Sequence, residues 1–235
     1  MEKLKTGAEN MGISLDDTQL DRFEKYMDML LNRNKVMNLT AITEKDEIIS
    51  RHFLDSVTPL MTDKFPPGAS VIDIGAGAGF PSLPLKIARP DLCVTMLDSL
   101  NKRVGFLNDV ILSLGLENIE AVHMRAEDGG HSELRESFDV AVARAVADLS
   151  VLAEYALPFV KVGGCFIAMK GGDPEEEIGG AKAAIKALGG RIEAVKEVHI
   201  DEGGLDHTLC IINKIGRTPS KYPRKAGKPA KEPIK

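Results

Sequence analysis

The sequence predicts an α/β protein, a doubly wound and mostly parallel seven-stranded sheet with a terminal antiparallel hairpin and an N-terminal helical extension. Three observations carry this. From Ser70 onward, short apolar runs alternate with helical patterns, as in chains whose strands are joined by crossover helices. The last two runs, 192–200 and 207–214, are separated only by Asp201-Glu202-Gly203-Gly204, which reads as a hairpin turn. Ahead of the break Phe65-Pro66-Pro67-Gly68, the apolar residues recur at helical spacing instead.

In chain order, residues 16–35 place Leu20, Phe23, Met27, Leu30 and Leu31 on one helical face, with Ser14 and Asp16 as candidate caps. Residues 46–61 do the same with Ile48, Ile49, Phe53, Val57 and Leu60. Strands are expected at 71–74, 93–97, 119–122, 138–143 and 164–169 before the hairpin, with helices at 82–88, 101–114, 149–158 and 174–188. The helix at 174–188 has the strongest start signal: Asp173 as cap, Pro174 at the first helical position, and three glutamates at the positive end of the helix dipole. The resulting division is a helical extension over 1–64, a sheet domain over 65–214 and a tail over 215–235.

The 235 residues hold 30 Lys+Arg and 35 Asp+Glu, a formal net charge of −5. That charge is segregated. Residues 214–235 carry eight basic side chains against Glu232 alone, a net of +7, which leaves −12 on the rest. With four prolines and few apolar residues, this segment reads as an extended, flexible tail suited to tracking phosphates. Overall acidity therefore does not exclude a nucleic-acid partner. No apolar run approaches the roughly 18 residues of a membrane span, and no apolar stretch follows Met1-Glu2-Lys3-Leu4-Lys5, so a cytoplasmic protein is expected. Cys93, Cys165 and Cys210 each sit among apolar neighbours and read as small buried hydrophobes, with no metal-ligand spacing.

The chemistry is concentrated at strand ends. Val71-Ile72-Asp73-Ile74 runs into Gly75-Ala76-Gly77-Ala78-Gly79-Phe80-Pro81, a glycine-rich turn that lets a ligand approach the backbone. A dinucleotide site wants G-x-G-x-x-G; here Phe80 fills the sixth position and Pro81 removes an amide, which favours a smaller ligand without a pyrophosphate. About twenty residues on, Asp98 closes the next strand, where a carboxylate can accept both hydroxyls of a ribose. Ala126-Glu127-Asp128 follows the third strand, either as a ligand contact or as a helix cap. Asp73, inside an apolar strand, either faces a ligand or caps a neighbouring loop. Arg144 and Lys170 place cations at the ends of the fourth and fifth strands.

These three strand ends resemble the Rossmann-like class I S-adenosylmethionine-dependent methyltransferases over about residues 65–214. A sharper resemblance follows from an ordered set: Arg51-His52-Phe53-Leu54-Asp55-Ser56, the GAGAGFP turn, Leu97-Asp98-Ser99-Leu100 with Lys102-Arg103 and Phe106-Leu107, Arg144-Ala145, Lys170-Gly171, and Lys221-Tyr222-Pro223-Arg224-Lys225. From about Ser14 to Pro233 the chain resembles the small-subunit rRNA guanine-N7 methyltransferases, the glucose-inhibited division protein B family. It departs from their usual pattern at Ser82, where glycine is common, and at Asn32-Arg33, where a tryptophan is frequent.

The resemblance implies methyl transfer from S-adenosylmethionine to N7 of a guanine in 16S rRNA, with free rRNA or the 30S subunit as partner, no membrane, no metal, and a monomeric enzyme. Gly75, Gly77, Phe80, Asp98, Ala126, Glu127 and Arg144 are then expected at the methyl donor. Lys102, Arg103, Arg144, Lys170, His52 and Asp55 are expected toward the substrate. Guanine N7 carries an in-plane lone pair and no proton, so no catalytic acid or base is expected. Other readings stay open at this stage: a methyltransferase for another RNA or a small molecule, a dinucleotide oxidoreductase, and a non-catalytic ribosome-assembly factor.

Overall fold

A computed structural model describes residues 1–144, 147–171, 174–200 and 204–234. The Asp173 cap, Ala145, and most of the expected hairpin turn (Asp201, Glu202 and Gly203) lie outside the described residues.

Among the described residues, seven strands form one sheet: β1 (Ser70–Ile74), β2 (Cys93–Asp98), β3 (Ile119–His123), β4 (Phe138–Arg144), β5 (Val160–Gly171), β6 (Gly190–Ile200) and β7 (Leu205–Lys214). The spatial order is β3-β2-β1-β4-β5-β7-β6. Pairs among β1 to β5 are parallel, and β7 runs antiparallel between β5 and β6. Chain order reverses between β1 and β4, and the crevice beyond the carboxyl ends of strands at such a switch point is where open α/β sheets bind ligands.

Among the described residues, ten α-helices flank the sheet: α1 (Glu2–Asn10), α2 (Asp17–Met37), α3 (Lys45–Ile48), α4 (Asp55–Val57), α5 (Ser82–Ala88), α6 (Asn101–Leu114), α7 (Ala126–Gly129), α8 (Leu149–Ala156), α9 (Glu175–Ala187) and α10 (Lys228–Lys231). Asp16 caps α2 through a reciprocal pair with Gln19, as its position ahead of the apolar stripe suggests. The single helix expected at 46–61 changes pitch along its length. It opens into a π-helical turn over Ile49–Leu54, tightens through α4, and ends in a 3-10 turn over Thr58–Met61. Such wide turns re-aim side chains and recur at functional sites. This one carries His52. Pro174 stands just before α9, whose first residue is Glu175.

Each face of the sheet has its own core. One joins Ile72, Ala141, Phe166 and Ile212 to α8 and α9. The other joins Val71, Met96 and Val142 to α5 and α6, and also takes in Leu4, Phe23, Tyr26, Leu30 and Phe53. Residues 1–64 are therefore packed into the sheet's own core.

Two sequence expectations are corrected. Cys93 is exposed, because it is the first residue of β2, whereas Cys165 and Cys210 are buried. The basic C-terminal segment is docked along the body. Lys214 is buried, donating to the carbonyls of Leu157 and Val160 and to Thr218 Oγ1. Arg224 binds Glu154, Pro223 and Pro229 are buried, and residues 228–231 form α10. Composition counted the cations of this segment but could not reveal the backbone carbonyls and the buried Glu154 that receive Lys214 and Arg224.

Candidate functional site

The glycine-rich turn lies over the carboxyl ends of β1 and β2. Gly77 takes φ of +61°, a conformation other residues rarely adopt, and its amide donates to Asp98 Oδ2 at 2.9 Å. Asp98 Oδ1 accepts from the Leu100 amide at 2.8 Å. The carboxylate is 3% exposed and so has a fixed orientation, while its oxygens keep capacity for further donors. Arg103 approaches to 3.6 Å. Tyr26, from α2, supports the turn from beneath by donating to the Ala78 carbonyl at 2.6 Å.

Two adjoining cavities share Gly75, Asp98 and Ser99. One, of about 380 Å³, is lined by Thr40, Gly77, Phe80, His52, Arg103 and Arg144 among others. The other, of about 170 Å³, is lined by Ile74, Leu97, Met124, Ala126, Glu127 and Tyr155. Together they gather all seven residues expected at the methyl donor. A rigid carboxylate at the end of β2, an open glycine turn, and a slot walled by Met124, Ala126 and Tyr155 form a donor set that fits an adenosine: hydroxyls on Asp98 and an apolar base between the walls.

A third cavity, of about 390 Å³, adjoins the first and shares His52 and Arg144 with it; Asp55, Met169, Lys170 and His207 also line it. Phe80 lines the first cavity against these two shared residues. Its ring stacks on His52 with centroids 4.4 Å apart, and the Arg144 guanidinium lies 4.8 Å from its centre. Arg144 Nη1 donates to Asp55 Oδ2 at 2.7 Å and to the Arg51 carbonyl at 3.2 Å. Arg144 Nη2 stands 3.3 Å from His52 Nδ1. On its other side, Asp55 Oδ1 is 3.0 Å from His207 Nδ1.

Burial, reinforced by Arg144, lowers the His52 pKa to about 4, so the ring is neutral near pH 7. His52 Nδ1 lies 3.1 Å from the Arg51 carbonyl and 3.3 Å from Arg144 Nη2, and Nε2 lies 2.7 Å from Thr40 Oγ1, so both ring nitrogens are held by polar neighbours. Asp73 is completely buried beneath the turn, and burial raises its pKa to about 7. The Ser82 amide is 3.3 Å from its Oδ2, so Asp73 acts inside the protein to hold the start of α5.

The structure separates the expected substrate-side residues. His52, Asp55 and Arg144 form one network, and Arg103 lies on the donor side beside Asp98. Lys170 lines the third cavity, but its ammonium is 2.6 Å from Glu177 and donates to the Ala147 carbonyl. Lys102 is exposed on α6 and lines none of the three cavities. Thr40, Tyr155 and His207 were missed. Thr40 closes the Asn-Leu-Thr run after α2, but nothing in a lone threonine marks it as a histidine partner. Tyr155 and His207 read as ordinary core residues of an apolar helix and strand.

The family model for GidB, rRNA small subunit methyltransferase G, matches residues 19–206. The chain is 50% identical over 233 residues to a protein named ribosomal RNA small subunit methyltransferase G from Alkaliphilus metalliredigens (strain QYMF), covering 99% of this chain and 98% of the relative. The same name, at 47% identity and the same coverage, belongs to a relative from Clostridium perfringens (strain 13 / Type A). Among solved structures, a SAM dependent methyltransferase from Aquifex aeolicus aligns with a TM-score of 0.54 at 18% identity, covering 74% of this chain and 96% of that one. TrmN from Thermus thermophilus aligns with a TM-score of 0.52 at 20% identity, covering 71% and 53%. Both likenesses are in the fold.

Proposed function

The chain belongs to the rRNA small subunit methyltransferase G family and is an S-adenosylmethionine-dependent methyltransferase, and from that premise we propose that it methylates N7 of one guanine in 16S rRNA. The observation that carries the reading is the shared wall: His52 and Arg144 line both the donor cavity and the third cavity, so a base in the latter lies against the methyl-bearing end of the former.

S-adenosylmethionine supplies the methyl group as an electrophile on a sulfonium. Asp98 would accept its ribose hydroxyls, Gly75 and Gly77 would admit its backbone-facing side, and Ala126 and Glu127 would border the adenine. Phe80 and Arg144 would border the reacting end. Arg144, fixed by Asp55, would direct its guanidinium to guanine O6, the acceptor an arginine reads best, while N7 stays open for attack. N7 has no proton to lose, and a neutral His52 stacked on Phe80 fits a wall that positions the base and removes water. Asp55 and Phe80 are placed to temper the positive charge that reaches the guanine as the new bond forms.

The substrate is read as 16S rRNA, either free or within the small subunit, met by a monomeric enzyme in the cytoplasm. Incubation with methyl-labelled donor and either 30S particles or naked 16S rRNA should yield labelled 7-methylguanosine in at least one case. Labelling of neither would defeat the reading.

A further inference from the structure

We propose that the C-terminal segment, residues 218–228, is a working part of the methyl-donor site, a clasp that holds the adenine end in its binding shape. The inference rests on the donor reading above, but it concerns residues that reading does not use.

The segment crosses the outside of α7 and α8, the two helices that supply the adenine-end wall. Glu127, on α7, lines the cavity and accepts from the Gly227 amide through Oε1 at 2.9 Å. Tyr155, on α8, lines the same cavity. Its neighbour Glu154 is 1% exposed and receives the Arg224 amide at 2.7 Å and the Arg224 guanidinium at 2.6 Å. Between these anchors the Pro223 carbonyl lies 2.7 Å from His131 Nε2, and Arg135 donates to the carbonyls of Tyr222 and Thr218. The approach to α7 is close: a methyl group on Gly130 would lie 2.6 Å from the Pro223 ring.

α7 has a single turn and connects to the sheet through a loop, so its own backbone bonds do little to fix it. The clasp provides that constraint. A wall already in place before the ligand arrives does not have to be ordered on binding, so losing the clasp weakens affinity without removing any atom that touches the ligand. Arg224 and Gly227 are thus positioning residues. The expectation of a flexible, phosphate-tracking tail changes accordingly: removing the segment should affect donor binding as well as RNA binding.

Calorimetry with S-adenosylhomocysteine on the full chain tests this, with circular dichroism to confirm folding. Arg224→Ala should weaken binding about tenfold, equivalent to one lost hydrogen bond to a charged group, and Arg224→Lys should restore part of it. Arg224→Ala leaves Glu154 buried and unpaired and can unfold the protein. Gly130→Ala is therefore the second variant, since it displaces Pro223 without stranding a charge. The exposed control Lys225→Ala should bind as wild type. In the folded variants, the protease-sensitivity of residues 218–234 should rise in step with the loss of affinity. Wild-type affinity in folded Gly130→Ala with a released segment would overturn the clasp. A wild-type protein that binds no S-adenosylhomocysteine would instead overturn the donor reading.

Discussion

Arg144, at the end of β4, donates to Asp55 across 2.7 Å and so joins the ligand edge of the sheet to the helical stretch that precedes the sheet. Both side chains are largely buried, at 17% and 9% exposure. Removing one partner of such a pair strands the other, typically at about 3–5 kcal/mol. Arg144→Ala should therefore destabilise the protein by about 3 kcal/mol in urea denaturation. It should also lower 7-methylguanosine formation on the order of a hundredfold, the usual effect of losing one fixed donor at a reacting centre. Arg144→Lys keeps the charge but not the fork and should fall between the two. An Arg144→Ala enzyme of normal activity would remove Arg144 from the site.

His52 and Asp73 predict opposing pH dependences. His52 takes up a proton at about 4 when folded and 6.5 when not, so the unfolded chain binds more protons in that window and stability falls as pH drops through it. Burial lowers His207 too, in the same sense. Asp73 keeps its proton up to about 7 when folded against 3.8 unfolded, so its contribution falls as pH rises through that window. Each effect is on the order of 3 kcal/mol at full extent. His52→Gln should give stability that declines more steeply as pH rises from about 4 to 7, and Asp73→Asn should give stability that rises with pH over the same range. Urea midpoints taken in small pH steps would show this. Profiles of identical shape in all three proteins would refute the assignment.

The sheet and its order-reversing crevice were legible because they depend on local pattern, and the glycine turn and the strand-end carboxylate that line that crevice were legible for the same reason. Asp98 and Gly77 were readable twenty residues apart because β1 and β2 are adjacent in any fold of this class. What the sequence hid depends on pairing across distance. Arg224 and Glu154 are seventy residues apart, and a run of lysines and prolines looks the same docked or free. Lys170 looked like a ligand cation because Glu177, which neutralises it, lies on the next helix, and composition does not show which face of that helix meets the strand end. His207 and Thr40 lacked any signal, since each owes its role to a partner on another element.

Tyr26 links the helical extension to the donor turn. Its ring is fully buried against Phe53 and Phe80, and its hydroxyl is bonded to Ala78, which keeps its pKa well above the usual value by burial. Tyr26→Phe preserves the packing and removes one hydrogen bond, leaving the Ala78 carbonyl unsatisfied. A loss of about 1–2 kcal/mol in stability is expected. A few-fold rise in the dissociation constant for S-adenosylhomocysteine should accompany it, because the turn loses its support. Calorimetry on the folded variant checks this, and unchanged affinity would show that the turn holds its shape without Tyr26.

The C-terminal cations divide into two kinds, and salt dependence should separate them. Lys214 and Arg224 are bound to protein carbonyls and to Glu154, so they have little left to give to a phosphate. Lys225 and Lys231 are exposed. Each phosphate contact contributes about 0.7–0.9 to the slope of log affinity against log salt, through release of condensed counterions. Lys225→Ala with Lys231→Ala should lower that slope by about 1.5 if both side chains meet phosphates, while S-adenosylhomocysteine binding stays at its wild-type value. Filter binding to 16S rRNA between about 50 and 200 mM salt measures the slope. An unaltered slope would move the RNA contact off this segment, onto other exposed cations such as Lys102 and Arg51. A loss of donor affinity in this double variant would mean that the segment's exposed side chains, and not only Arg224 and Gly227, hold the adenine end in place.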